Sequence, residues 1–125
     1  MAKFANDSVM DAALAKIATG VILTICSAQP TTYTEAITTY KLADIAVTPG
    51  SGNGDFTIAN GDTSGRKVTI AQQDNIPVDT SGTATHVAIC DGSTLLLVTT
   101  CTSQALTAGN TVTVPAFDDE IADPS

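Results

Sequence analysis

The amino-acid sequence predicts a mainly β protein, a single-domain β-sandwich or small barrel-like fold with one N-terminal α-helix. Short runs rich in β-branched residues recur between turn signals, a pattern typical of a small sandwich or barrel. A clear helical period occurs only near the start of the chain. The chain has 125 residues, 43% of them hydrophobic, which suits one core, so residues 1–125 are treated as one domain.

The helix is predicted over residues 6–19. Its apolar residues follow a 3.6-residue period and share one face: Val9, Met10, Ala13, Leu14 and Ile17. Asn6 or Ser8 can cap the first turn, and Gly20 can end the helix. Packing into the core explains the apolar face, and docking of the helix on a partner protein is the alternative.

Residues 21–125 form the predicted β-rich body, which has an acidic C-terminal end. Strands are predicted over residues 21–26, 44–48, 55–59, 66–71, 84–91 and 94–101. Residues 34–42 fit either a short helical turn or irregular structure, and Pro77 with Ser81-Gly82 predicts a loop. Beyond Pro115 the apolar residues change parity, which predicts a bulge or a kink.

The clearest hairpin joins residues 84–91 to residues 94–101 through a turn at Gly92-Ser93. A regular ladder predicts four opposite pairs: Cys90–Leu95, Ala88–Leu97, His86–Thr99 and Ala84–Cys101. Cys90 and Cys101 then lie roughly 20 Å apart, too far for a disulfide. Both faces of the hairpin are apolar, which predicts a central position covered by a second sheet, the helix or a neighbouring subunit.

The charge of the chain argues against nucleic acid as a partner. Five Lys and Arg stand against 13 Asp and Glu, for a formal net charge of −8. A nucleic-acid-binding protein needs cations to displace phosphate counterions. All cations precede residue 68, and a late acidic cluster comprises Asp118, Asp119, Glu120 and Asp123. A solvated end is the simpler interpretation of that cluster, and contact with a basic surface is the alternative.

The cysteines and the apolar segments predict neither a disulfide framework nor a membrane span. Cys26, Cys90 and Cys101 are an odd number, without a CxxC or zinc spacing, and are expected to pack as buried thiols. Residues 17–26 loosely imitate a secretory signal. The run is too short to cross a bilayer, and its acidic flank is wrong for export, so we expect no membrane partner.

Reactive residues occur singly, so we predict no catalytic, cofactor-binding or metal-binding residues and no enzyme activity. His86 lies inside a predicted strand and suits a hydrogen-bonded structural role. Cys26 has no neighbouring cation to lower its pKa. The remaining candidates are the Gly50–Gly54 loop, which lacks a P-loop lysine; the possible calcium ligands Asn53, Asp55, Asn60 and Asp62, better explained as turn residues; and Asp118, Asp119 and Glu120, which lack a partner base.

Several segments resemble small virion proteins of tailed bacteriophages, which are encoded near the major capsid protein and belong to head decoration or minor head proteins. The segments are residues 26–36 (CSAQPTTYTEA), 64–70 (SGRKVTI), 83–88 (TATHVA) and 106–117 (LTAGNTVTVPAF), with Ile121-Ala122-Asp123-Pro124 after them. The resemblance covers most of the chain, from the helix to the C-terminus. It includes no catalytic residues and no cofactor.

The resemblance implies a structural protein of the virion that decorates or stabilises the outer surface of the capsid. Its expected partner is the major capsid protein, and it is expected as a homo-oligomer or in many copies on the particle. A neck, tail or fibre adaptor is the alternative, and a carbohydrate-binding module is a second. The absence of Trp weighs against the module. The expected contact surfaces are the N-terminal helix and exposed strand edges.

Overall fold

A computed structural model describes residues 4–123 and confirms the mainly β class. It contains one N-terminal helix, one short π-helix and nine strands within that range, in three antiparallel sheets. None of the three described sheets closes into a barrel. The elements are α1 (Asp7–Ile17), β1 (Ile22–Cys26), the π-helix (Glu35–Thr39), β2 (Lys41–Ala46), β3 (Phe56–Asn60), β4 (Arg66–Ile70), β5 (Gln73–Pro77), β6 (Gly82–Cys90), β7 (Leu95–Leu106), β8 (Thr111–Val114) and β9 (Phe117–Ile121).

The chain forms two compact units, each assembled from segments distant in sequence. The helix–sheet unit comprises Met1–Thr19, Thr48–Gln72 and Pro115–Ser125. The two-sheet unit comprises Gly20–Val47 and Gln73–Val114.

In the helix–sheet unit, α1 packs on β3 and β4 of a sheet with the order β3-β4-β9. Its core contains Leu14, Phe56, Val68 and Ile70, all fully buried. The predicted helix is confirmed. Asn6 caps its first turn by accepting a 2.8 Å hydrogen bond from the backbone N–H of Ser8. The helix ends at Ile17, two residues before the predicted end at residue 19, and the Thr19 hydroxyl donates a 2.6 Å hydrogen bond to the carbonyl of Lys16.

The two-sheet unit contains a four-stranded sheet with the order β2-β1-β6-β7 and a two-stranded sheet, β5-β8. The π-helix lies over one face of the larger sheet, where Ala36 packs with Ala88 and Cys90. The segment that fitted either a helical turn or irregular structure is therefore helical over five residues. The opposite face carries fully or almost fully buried aliphatic residues: Leu23, Ile25, Val87 and Ile89.

The predicted register of the β6–β7 hairpin is wrong beyond its first pair. Cys90 pairs with Leu95 as expected, but Ala88 pairs with Val98 and His86 with Thr100. One extra residue on β7 causes the first shift, and two more follow, so that Ala84 pairs with Gln104.

Packing explains the first of these shifts. Leu95 and Val98 both pack against the cluster around Ala36, although residues three apart lie on opposite faces of a regular strand. A bulge at Leu96, which has no partner on β6, brings them to the same face.

The predicted central position of this hairpin is also wrong for one of its strands. β6 lies between β1 and β7, but β7 is at the edge of the sheet and runs for 12 residues, well past the predicted end at residue 101. Leu95, Leu96, Leu97 and Val98 are only half-buried.

Two further differences concern segments rich in turn residues. β5 lies where a loop was predicted around Pro77, and its ladder with β8 is interrupted near Asn75, whose φ is 55°. At Pro115 the chain leaves β8 in one unit and enters β9 in the other. This change of sheet is the physical basis of the predicted kink, because Val112 and Phe117 face different cores.

Candidate functional site

An apolar groove on the helix–sheet unit is the candidate site. It occupies about 290 Å³ and is lined by Ala5, Val9, Met10, Ala13, Ile121 and Ala122. Of these residues, Val9 is a large hydrophobic residue that is 64% exposed. Single exposed apolar residues are ordinary, whereas large apolar patches and grooves mark interaction sites.

The groove exists because the apolar face of α1 is wider than the core beneath it. Met10 and Leu14 are buried, while Val9 and Ala13 are exposed. Core packing, the simpler explanation of the five-residue face, therefore accounts for only part of it. The exposed part of the apolar face, Val9 and Ala13, is available for the alternative role, docking of the helix on a partner protein.

An ion pair fixes how α1 lies on the sheet. The Arg66 guanidinium on β4 donates to both carboxylate oxygens of Asp11, through Nε at 2.7 Å and Nη2 at 3.3 Å. Hydrogen bonding to Asp11 raises the pKa of Arg66 above its ordinary value. With Asp11 held on the sheet, Val9 and Ala13 lie toward the groove.

The other wall of the groove belongs to β9, which the late acidic cluster helps to position. Asp118 forms a 3.2 Å ion pair with Lys67, which also contacts Asp62 at 2.6 Å. These hydrogen bonds, first to Asp62 and then to Asp118, raise the pKa of Lys67. Glu120 accepts a hydrogen bond from the backbone of Thr63. The acids predicted as a solvated end are therefore partly engaged within a strand.

His86 lies inside β6, half-buried, with Cys26 on one side and Thr100 on the other. Its Nδ1 is 2.8 Å from the hydroxyl of Thr85. The predicted neighbour was Thr99, which the bulge in β7 moves next to Val87 instead. A hydrogen bond to the adjacent hydroxyl fits the predicted structural role.

The three thiols are free, and burial weakens their acidity. Cys26 and Cys90 are buried, whereas Cys101 is half-buried. Burial raises the pKa of the Cys90 thiol to about 11 and raises the pKa of Cys26 and of Cys101. The Cys26 thiol also donates to the carbonyl of Ala36 at 3.6 Å, which ties β1 to the π-helix. Protonated thiols are poor nucleophiles and poor metal ligands.

The Gly50–Gly54 loop is held by its own side chains rather than shaped around an anion. The carboxylate of Asp55 accepts a 2.6 Å hydrogen bond from the backbone of Thr48. The side-chain amide of Asn53 donates to the carbonyls of Thr48 and Pro49. Gly50, Gly52 and Gly54 have positive φ, which allows this compact turn.

The four possible calcium ligands do not come together around one point. Asn53 and Asp55 belong to the loop just described, Asn60 accepts from Arg66 at 2.7 Å, and Asp62 pairs with Lys67. Within residues 4–123, no three His, Cys, Asp or Glu side chains are grouped to hold a metal ion. The same stretch contains no helix with the length and apolar character needed to cross a membrane.

Sequence reasoning placed the helix among the contact surfaces but missed the other parts of the groove. Ala5 precedes the predicted helix, and Ile121 and Ala122 belong to the acidic end. The signal that could have found the last two is the apolar pair Ile121-Ala122 between Glu120 and Asp123, although only the fold brings it beside α1.

No protein-family description, curated protein or solved structure matches this chain.

Proposed function

We propose that this chain is a structural protein of a bacteriophage virion that binds the outer surface of the capsid and decorates or stabilises it without catalysis. Its partner is the major capsid protein, and it acts in many copies on the particle. The four resembling segments support this proposal. The groove of the helix–sheet unit is the observation that favours a binding role, because it is lined by apolar residues of α1 and of the end of β9, with Val9 64% exposed.

The reactive side chains of the described residues support a binding role rather than a chemical one. Burial raises the pKa of the Cys26 and Cys90 thiols, which disfavours the reactive thiolate. The ring of His86 contacts a neighbouring hydroxyl. Asp11, Asp62 and Asp118 are engaged in ion pairs with Arg66 or Lys67.

A shallow apolar groove suits a protein that is repeated on a symmetric shell. Each contact can be weak, because neighbouring copies on the same particle share a high effective concentration. The net charge of −8 disfavours adhesion to nucleic acid released from damaged particles.

Co-sedimentation with purified undecorated phage heads tests this proposal. We expect stoichiometric pelleting with the heads and at least a tenfold weaker association for Val9→Lys, which places a charge at the apolar contact; roughly 1.4 kcal/mol corresponds to that factor. Ala15→Lys is the matched control, because Ala15 is an exposed residue of the same helix that does not line the groove.

Other outcomes of the experiment would contradict capsid decoration or the role of the groove in it. Labelling of one vertex or of the tail alone would indicate a neck, tail or fibre adaptor. Retention on a glycan array without particles would indicate a carbohydrate-binding module. Equal loss of binding in Val9→Lys and Ala15→Lys would remove the groove from the contact.

A further inference from the structure

The two edges of the four-stranded sheet in the two-sheet unit differ in how they are protected. At β2 the backbone N–H groups of Asp79 and Thr80 donate to the carbonyl of Leu42 at 2.8 Å and 3.1 Å, and Ala43 bridges to Val78. Lys41 of the same strand lies 3.1 Å from Asp44 and 3.4 Å from Asp79. This edge is therefore covered by backbone and guarded by charge.

β7, at the other edge, has neither protection. Its 12 residues, LLLVTTCTSQAL, include no charged side chain and no proline, which are the common means of blocking an edge. In residues 4–123, no strand pairs with its outer side. The bulges of β7 shift the register of its pairing with β6, but they leave its outer side without a partner strand in the described residues.

The side chains of β7 also lack full cover. The run Leu95–Val98 is apolar and half-buried, with Leu97 opposite Ile89 and Val98 opposite Ala88. Because these two pairs lie on opposite faces, a strand added outside β7 would cover apolar side chains on both faces of the sheet.

The absence of charge near this edge favours a second copy of the chain as its occupant. From residue 92 to residue 117 the sequence contains no Asp, Glu, Lys, Arg or His, although the whole chain carries −8. A basic partner has nothing to attract it here, and two copies of an acidic chain meet here without opposing their carboxylates. A two-fold axis makes such a contact self-complementary and the paired strands antiparallel.

We propose that two copies of this chain associate through their β7 edges. The two β7 strands pair antiparallel and join the two four-stranded sheets into a single eight-stranded sheet. The two-fold axis lies within Leu95–Val98, where apolar side chains oppose apolar side chains. This inference does not depend on capsid binding, since it concerns the free protein and a different unit from the groove.

Sedimentation velocity of the purified full chain, from about 1 µM to about 1 mM, tests the proposal. We expect a monomer–dimer equilibrium, with hydrogen exchange slowing in residues 95–106 as the dimer forms. Leu96→Lys should raise the dimer Kd at least about tenfold, because it places two like charges near the axis. Leu96 is half-exposed and has no partner on β6, so the fold should tolerate the change.

Ala46→Lys is the matched control, since it adds the same charge at an exposed position of the protected edge. Its dimer Kd should equal that of the unmodified chain. A monomer throughout the concentration range would overturn the proposal, as would an oligomer that slows exchange outside β7. Protection of β7 that arises only with phage heads would assign the edge to a capsid strand instead. The exchange experiment on the unmodified chain decides the question even if Leu96→Lys does not fold.

Discussion

Gly65 is a position in the helix–sheet unit where the fold requires glycine. It lies in the turn between β3 and β4 with φ at 71°, and a Cβ atom there would overlap the carbonyl oxygen of Ile121. The same carbonyl belongs to the end of β9, which forms one wall of the groove. A single glycine therefore permits both the turn and the close approach of the last strand.

Replacing Gly65 with alanine should destabilise the protein by about 2–4 kcal/mol, through the positive φ and the overlap with backbone. Urea denaturation measures this change. Gly92→Ala is the control, because a Cβ there meets nothing within 4 Å and its φ lies outside the left-handed region. It should be neutral or stabilising by about 0.5 kcal/mol. Equal effects of the two substitutions would refute this account of Gly65.

Among the elements, the π-helix shows how local hydrogen bonds hold a short segment over a sheet. The carboxylate of Glu35 accepts from both the backbone N–H and the hydroxyl of Thr31, each at 2.8 Å. The backbone N–H of Glu35 in turn donates to the Thr32 hydroxyl at 3.1 Å. The hydrogen bond from the Thr31 backbone, followed by that from its hydroxyl, lowers the pKa of Glu35.

A carboxyl whose pKa is lowered by folding stabilises the protein above its unfolded pKa, and this contribution disappears as the pH falls through the folded pKa. The unfolding free energy should therefore decline with acidification below about pH 4.5, the ordinary value for Glu35. Glu35→Gln should lower stability at pH 7 and flatten this decline, and Thr31→Val, which removes only the hydroxyl, should do so less. Denaturant titrations at several pH values measure the slopes. Identical slopes for all three proteins would contradict this role.

The sequence predicted those elements that follow a regular period or contain a distinctive turn. α1 and the hairpin around Gly92 are of this kind. It missed β5, because QDNIP has no alternating apolar pattern, and its ladder is interrupted near Asn75. It also missed the bulge at Leu96, because only the packing of Leu95 and Val98 beneath Ala36 requires it.

The candidate site was predictable only in part for the same reason. The apolar face of α1 can be identified from its period. The amount of that face that the core leaves exposed depends on Arg66 and on β9, which are distant in sequence.

At the scale of the whole molecule, folding removes the charge asymmetry of the chain. Residues 1–67 carry a net −1 and residues 68–125 a net −7. The helix–sheet unit contains eight acids and four cations, and the two-sheet unit contains five acids and one cation, so each unit carries −4. The return of β9 to β4 brings late acids beside early cations, as Asp118 does with Lys67.

Solubility should therefore depend on pH through both units at once. We expect a minimum near pH 4.1, the isoelectric point of the sequence, because the repulsion between molecules vanishes there. Static light scattering of one preparation dialysed across pH 3–7 would measure it. Solubility that does not change across pH 4 would show that charge does not keep the molecules apart.

The interleaved connectivity has a consequence for synthesis on the ribosome. β8 completes the smaller sheet of the two-sheet unit, and β9 completes the sheet of the helix–sheet unit, yet both come from residues 111–121. A nascent chain therefore lacks a strand of either unit until residues 111–121 have left the exit tunnel. Chain closure over such separations slows folding, so we expect neither unit to complete its sheets before these two strands have emerged.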